Sequence, residues 1–253
     1  MRISSLLAFL PRWLALGLSL FGVQALADYT NVPDGYVLLS IEHGHRYMVA
    51  GGAKFYIPPA QLSAFPGGTT VALPQATIDS VTTIPRDGTL IRSYNANEIY
   101  VVVGNMFWWI PNPTELSYWD DWRIVNVIPN RWDPAFYNYS NTILVQERST
   151  SQVYLWIAGA RFPITNEADL NYFGGYANVK TIPLGTLASI TYQAWCGVNL
   201  RERSSSTVYT VGYGSSTSAT MRRGVTTLPA DGVVPDGALS VFPLTSGTPA
   251  CIW

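Results

Sequence analysis

Charge is scarce in this chain. Of its 253 residues only 12% are Asp, Glu, Lys or Arg, and the only lysines are Lys54 and Lys180. The formal net charge is −1 and no basic stripe occurs. The chain therefore lacks the positive footprint that a phosphate backbone requires, which excludes nucleic acid as a partner. Histidine is equally rare: His43 and His45 share the segment Glu42-His43-Gly44-His45. Two imidazoles and one adjoining acid are an incomplete metal-ligand set, so they are weak metal candidates and read first as a polar hairpin tip. A nucleophile–His–acid triad would have to draw on the same pair. No G-x-S-x-G element, Walker loop or dinucleotide glycine pattern is present, and no cofactor is indicated. After the first thirty residues no apolar run approaches the ~20 residues needed to cross a bilayer.

The first residues have a different character. Arg2 forms a short positive start, Leu14 to Val23 an apolar stretch, and Ala25-Leu26-Ala27 a small-x-small cleavage pattern. This order predicts a secretory signal peptide over 1–27, removed before Asp28. Arg12 interrupts the longer apolar stretch from Leu6, which argues against a retained membrane anchor. Removal takes away Arg2 and Arg12 and no acid, leaving a mildly acidic chain destined for the periplasm or the medium. In that compartment the two cysteines, Cys196 and Cys251, are expected to form a disulfide.

What the chain does have is internal repetition. Gln146-Glu147-Arg148-Ser149-Thr150-Ser151-Gln152-Val153-Tyr154 matches Arg201-Glu202-Arg203-Ser204-Ser205-Ser206-Thr207-Val208-Tyr209 at an offset of 55 residues. The same register holds Glu98-Ile99-Tyr100 and His45-Arg46-Tyr47. A second landmark, V-x-x-[I/L]-P, occurs at 81–85, 125–129, 179–183 and 225–229. Between the two lies a Gly-turn and aromatic strand: Gly51 to Pro58, Gly104 to Pro111 and Gly159 to Ile164, replaced in the fourth copy by Gly214-Ser215-Ser216-Thr217-Ser218. Each unit thus predicts three antiparallel strands, a short helical stretch such as 112–119 or 166–172, and a closing edge strand. Asn166 is placed as a helix N-cap.

Such a unit cannot bury both sheet faces alone, so neighbours must stack. The chain therefore predicts a single all-β domain over 28–253, a four-repeat β-propeller-like array with units at approximately 34–86, 87–140, 141–196 and 197–253. An open β-solenoid or a two-lobed β array is the alternative. Val32-Pro33-Asp34-Gly35 recurs as Val234-Pro235-Asp236-Gly237, which suggests that the ends meet, with 238–242 pairing beside the first or last unit.

Units reading Asp87-Gly88-Thr89-Leu90-Ile91-Arg92, Glu202-Arg203-Ser204-Ser205-Ser206-Thr207-Val208-Tyr209 and Gly51-Gly52-Ala53-Lys54-Phe55-Tyr56-Ile57-Pro58, closed by Val-x-x-Ile-Pro, resemble a largely uncharacterised repeat of secreted bacterial proteins. The resemblance spans about residues 32–245. The unit plan is similar in architecture to hemopexin-type four-bladed propellers, which implies a fold and no activity.

Candidate function follows from where the units differ. Unit two carries Trp108, Trp109, Trp119 and Trp122, and aromatic rings of this kind stack on sugar faces or apolar partners. Strand alternation sends Trp108 and Trp109 to opposite faces, one to the core and one outward. The expectation is a non-catalytic binding module for a polysaccharide or a cell-surface partner. A glycan-active enzyme is the alternative, since acids among tryptophans (Glu115, Asp120, Asp121) could supply the paired carboxylates of glycoside hydrolysis. The competing reading of Asp120 and Asp121, and of Asp169 in the comparable turn of unit three, is solvated caps and turn acids. A structural protein–protein scaffold is the third possibility.

Overall fold

The computed structural model describes residues 32–66, 68–120, 122–129, 142–190, 193–215 and 218–251. The expected signal peptide (1–27), Asp121 and the segment Trp132-Asp133 lie outside them. The described chain forms four four-stranded sheets, one per unit. Unit one contains β1 (Val37–Ser40), β2 (Arg46–Ala50), β3 (Ala53–Tyr56), β4 (Thr70–Leu73) and helix α1 (Gln75–Ser80). Unit two contains β5 (Leu90–Ser93), β6 (Ile99–Val103), β7 (Met106–Ile110), α2 (Pro113–Leu116) and β8 (Asn126–Ile128). Unit three contains β9 (Ile143–Glu147), β10 (Val153–Ile157), β11 (Ala160–Pro163), α3 (Glu167–Tyr172) and β12 (Lys180–Ile182). Unit four contains β13 (Asn199–Glu202), β14 (Val208–Ser215), β15 (Ser218–Thr226) and β16 (Gly232–Val234). This is an all-β, propeller-like array of four units.

In every sheet the order is third, second, first, fourth strand. The first three strands form an antiparallel meander, whereas the fourth pairs parallel to the first, as β8 does with β5 and β12 with β9. The parallel return needs a crossover, which carries α2 in unit two and α3 in unit three, whereas residues 227–231 of unit four make it without a helix. The closing strand always ends at a proline: Leu73-Pro74, Ile128-Pro129, Ile182-Pro183 and Val234-Pro235. The sequence landmark thus marks this strand in units two and three only. In unit one the strand is β4 and Val81–Pro85 follows α1, and in unit four Val225 lies within β15. Unit four also keeps a third strand, nine residues long, although its Ser/Thr-rich stretch lacks the aromatic pattern.

Sheets with neighbours on both sides are apolar on both faces, so their strands read as continuous apolar runs such as Ile99–Val103. Val37, Met48, Phe55 and Ile57 of unit one meet Ile91, Tyr100 and Ile128 of unit two. Leu90, Val101, Trp108 and Ile110 of unit two meet Val145, Ile182 and Leu187 of unit three. Leu144, Leu155, Ile157 and Phe162 meet Leu200, Val211, Val234 and Leu239 across the last junction. The opposite face of unit one (Leu38, Val49, Leu73) packs on Ile78 of its own α1 and on Val81. Among the described residues no hydrophobic cluster joins unit four to unit one.

Among the described residues the ends do not pair with each other. Val234 belongs to β16, Asp236 is held by Arg203, and Ala238–Val241 forms a 3-10 turn rather than a strand. The chain after it runs back over unit four, with bridges from Arg223 to Leu244 and from Tyr213 to Ala250. The expected disulfide Cys196–Cys251 pins this tail.

The hairpin between second and third strands sets unit spacing. Gly104 has φ 61°, and a Cβ there would collide with the Ile143 side chain that opens unit three. Gly159 meets the Trp195 indole in the same way. Gly104→Ala is expected to destabilise by about 1–2 kcal/mol, from a left-handed backbone and a forced shift of Ile143. A urea titration checks it, and an unchanged midpoint would mean the junction tolerates the displacement.

Candidate functional site: an aromatic groove in unit two

The first-to-second-strand turns of successive units lie along one side of the array. In unit two that turn (Asn95 to Glu98) stands beside the end of β7 and the start of α2. Asn97, Glu98, Ile99, Trp109, Asn112 and Leu116 line a groove of about 290 Å³ between them. Trp109 pairs with Tyr100 across the β6–β7 ladder, at the outer end of the hairpin. Asn97, Glu98 and Asn112 are exposed and Trp109 is half-buried. The result is an aromatic wall bordered by two amides and one carboxylate.

Trp108 points the other way. It is 1% exposed, donates its indole N–H to the Val103 carbonyl at 3.0 Å, and meets Trp156 of unit three edge-on. It therefore offers no face to a ligand, which corrects its place among the binding candidates. Both faces of this sheet are covered by neighbouring units, so alternation identified two different environments without saying which ring was outward. Trp119 is half-buried and donates its indole N–H to Glu115 Oε1 at 3.1 Å. Trp122 is 68% exposed in the 3-10 turn Trp122–Ile124, with the Arg123 guanidinium 5.9 Å from its ring centre. Of the four tryptophans only Trp109 lines the groove.

Among the described residues, Glu115 and Asp120 of unit two sit in different environments. Asp120 is exposed on the turn after α2. Glu115, by contrast, is 3% exposed and belongs to a clamp between units. It accepts Arg148 Nη2 at 2.6 Å and Nε at 3.1 Å, the Leu184 backbone N–H at 3.0 Å, and the Trp119 indole. Burial acts to raise its carboxyl, but the hydrogen bonds from Arg148, Leu184 and Trp119 prevail and hold it below the ordinary 4.5. Asp169 repeats the arrangement at the next junction, 0% exposed, accepting Arg203 Nε at 2.6 Å and the Asp236 N–H at 3.4 Å. Glu115 and Asp169 are therefore buried interunit anchors rather than solvated caps. Their helices place them identically, because Asn112 and Asn166 cap α2 and α3 by accepting from the Glu115 and Asp169 N–H groups. The Asn-x-x-acid spacing and the repeated Glu-Arg pairs carried this signal in the sequence.

His43 and His45 occupy the exposed tip of unit one, ring centres 5.6 Å apart. Among the described residues no group of three His, Cys, Asp or Glu side chains could hold a metal. No described helix is long and apolar enough to cross a membrane. A second groove, about 360 Å³, lies among the turns at the opposite end of the sheets, between Asp34, Thr89, Arg123 and Asn126. Its carboxylate is engaged by the Gly52 N–H at 3.1 Å.

Compared with protein-family models, curated proteins and solved structures, the chain matches none.

Proposed function

We propose that this protein is an exported, non-catalytic binding module that recognises a polysaccharide through the Trp109 groove. The observation that carries this reading is the composition of the groove. One aromatic face supplies an apolar platform for the C–H side of a pyranose, and Asn97, Asn112 and Glu98 border it with groups able to bond hydroxyls. The lining holds one carboxylate, whereas glycoside hydrolysis needs two at a set separation. Glu115, on α2, is committed to Arg148. The low charge favours a neutral glycan over an anionic one. Export rests on the leader at 1–27, and the Cys196–Cys251 bridge fits an oxidising compartment.

Trp109→Ala is expected to weaken binding to neutral polysaccharides at least tenfold, about 1.4 kcal/mol, while leaving the thermal melt close to wild type. Affinity electrophoresis through gels containing β-glucan, xylan or chitosan-derived glycol chitin measures the first, and circular dichroism the second. Equal retardation of wild type and variant in every gel that slows the protein would remove the groove from the site. Trp108→Ala cannot substitute for this variant, because it excavates the core.

A further inference from the structure

The groove is one station in a longer row. The position paired with the second-strand tyrosine is Tyr56 in unit one, Trp109 in unit two, Pro163 in unit three and Val225 in unit four. Aromatic rings therefore occupy it in the first two units only. Tyr56 is 40% exposed and stands edge-on to His45, 5.5 Å between ring centres, at the tip of unit one. Tyr94, 45% exposed at the tip of unit two, meets Phe65 of unit one at 5.5 Å. Asn97 and Glu98 carry that tip into the Trp109 groove, and α2 leads out of it to Tyr118. The Tyr118 ring, 61% exposed, lies 3.6 Å from the Arg148 guanidinium at the tip of unit three. Each step crosses or follows a unit junction, so the rings run along one side of the array instead of gathering in one pocket.

Resting on the glycan-binding reading above, we infer that the ligand is an internal stretch of a linear neutral glycan with equatorial linkages, laid across units one to three over Tyr56, Tyr94, Trp109 and Tyr118. The chemistry of the row favours this occupant. Its rings are Tyr and Trp, each with a polar edge, and the exposed polar residues Asn95, Asn97, Glu98, Asn112 and Thr114 lie among them, beside the apolar Ile99, Pro111, Pro113 and Leu116 of the groove. A protein-docking patch concentrates apolar area at its centre. A β-linked pyranose chain instead presents alternating C–H faces and hydroxyl edges along its length, matching rings interspersed with amides. The single carboxylate and the Arg148 guanidinium, already bound to Glu115, leave the row with no net attraction for a polyanion. Several weak stations on one rigid scaffold also add through effective concentration, so affinity should depend on ligand length.

The test is a titration calorimetry series with cello-oligosaccharides and chito-oligosaccharides, from disaccharide to hexasaccharide, on the full mature protein. Affinity is expected to rise by tenfold or more between disaccharide and hexasaccharide in at least one series. Tyr56→Ala and Tyr118→Ala should each cut hexasaccharide affinity several-fold while leaving the disaccharide nearly unaffected. Val225→Ala, at the equivalent exposed position of unit four, should change neither. All three side chains are at least 40% exposed, so the folds are expected to survive and melting curves confirm it. If disaccharide and hexasaccharide bind equally and only Trp109→Ala matters, the row is refuted and the single groove stands. Absence of binding by every member of both series overturns the row and the glycan reading together.

Discussion

Glu115→Ala is expected to lower the unfolding free energy by about 3–5 kcal/mol, the usual cost of removing one partner from a buried ion pair. The variant strands a guanidinium, an indole N–H and a backbone N–H that all donate to one carboxylate. The Arg148 side chain is 25% exposed and can recover some hydration, which places the loss toward the lower end of that range. Glu115→Gln keeps the shape and one acceptor oxygen and should cost less. The pH dependence separates charge from packing. The folded carboxyl titrates below its ordinary 4.5, so its contribution is fully present above that value. It is lost as pH falls through the folded-state value, because the unfolded chain then binds the proton more readily. Denaturant titrations of wild type and Glu115→Gln across this acid range should therefore converge as pH drops. A constant gap at every pH would show that the clamp works by shape alone. Because Glu115 joins unit two to unit three, the loss should also appear as weakened hydrogen-exchange protection on both sides of that junction.

The clamp also distinguishes the junctions. In unit one the position of α2 is a 3-10 turn, Pro59–Gln61, with no side-chain cap at Pro58 and a glutamine instead of the acid. Tyr94 stands where units three and four carry Arg148 and Arg203, since each N–H bonds the last residue of its own closing strand. The Gln61 Oε1 atom is buried with no donor. The backbone N–H after the closing proline, held in units three and four by Glu115 or Asp169 of the preceding unit, is held at Gln75 by Glu42 of unit one itself, at 2.8 Å. Unit one thus supplies from its own tip what later units receive from their neighbour, as expected of a first repeat in a stacked array.

These substitutions explain which features could be read from the amino acids. The Glu-Arg-Ser repeats and the Gly turns of units two and three specify strands and hairpins through local chemistry, so the period and the all-β class were visible. The parallel fourth strand was not, because its partner is set by a crossover of many residues and three short apolar positions fit either neighbour. Val-x-x-hydrophobic-Pro is also too generic. At 81–85 it describes the exit from α1, where Val81 is buried for helix packing, and at 225–229 the end of β15. The tryptophans were legible as a concentration and illegible as a surface. A sheet buried on both faces satisfies alternation in either orientation, and only the junction with Trp156 decides that Trp108 is the inner ring. The buried acids escaped for a related reason: Asn-x-x-acid is equally good as a solvated cap, and its Arg partner lies 33 or 34 residues later in the chain.

Cys251→Ser is expected to destabilise by about 4 kcal/mol on the chain-entropy model, given a separation of 55 residues between the bridged cysteines. The loss should be uneven. The tail is bound to unit four by backbone contacts: Thr245 N–H to the Arg223 carbonyl at 2.8 Å, Arg223 N–H to that of Pro243 at 3.0 Å, and Tyr213 N–H to that of Ala250 at 3.1 Å. It lies directly on Gly212 and Gly224, where a Cβ would meet Pro249, Cys196 or the Gly247 carbonyl. That face of unit four also carries Asn199 and Thr210, bonded to each other at 2.7 Å, and the half-buried Val208 and Val233, which belong to none of the buried clusters that join the other units. Tail docking there gains little from burial and depends on the tether to hold its effective concentration high. Without the bridge, the amides of Tyr213 and Thr245 should exchange hydrogen much faster, while those of β6 and β10 keep most of their protection. Thermal melts with and without reductant give the global loss, and residue-resolved exchange gives its distribution. Retained protection at Tyr213 and Thr245 in Cys251→Ser would show that the backbone ladder alone suffices and that the bridge is incidental to the tail. Uniform loss across all four units would instead make the tail part of a single cooperative core, linking the bridge to the clamps at Glu115 and Asp169.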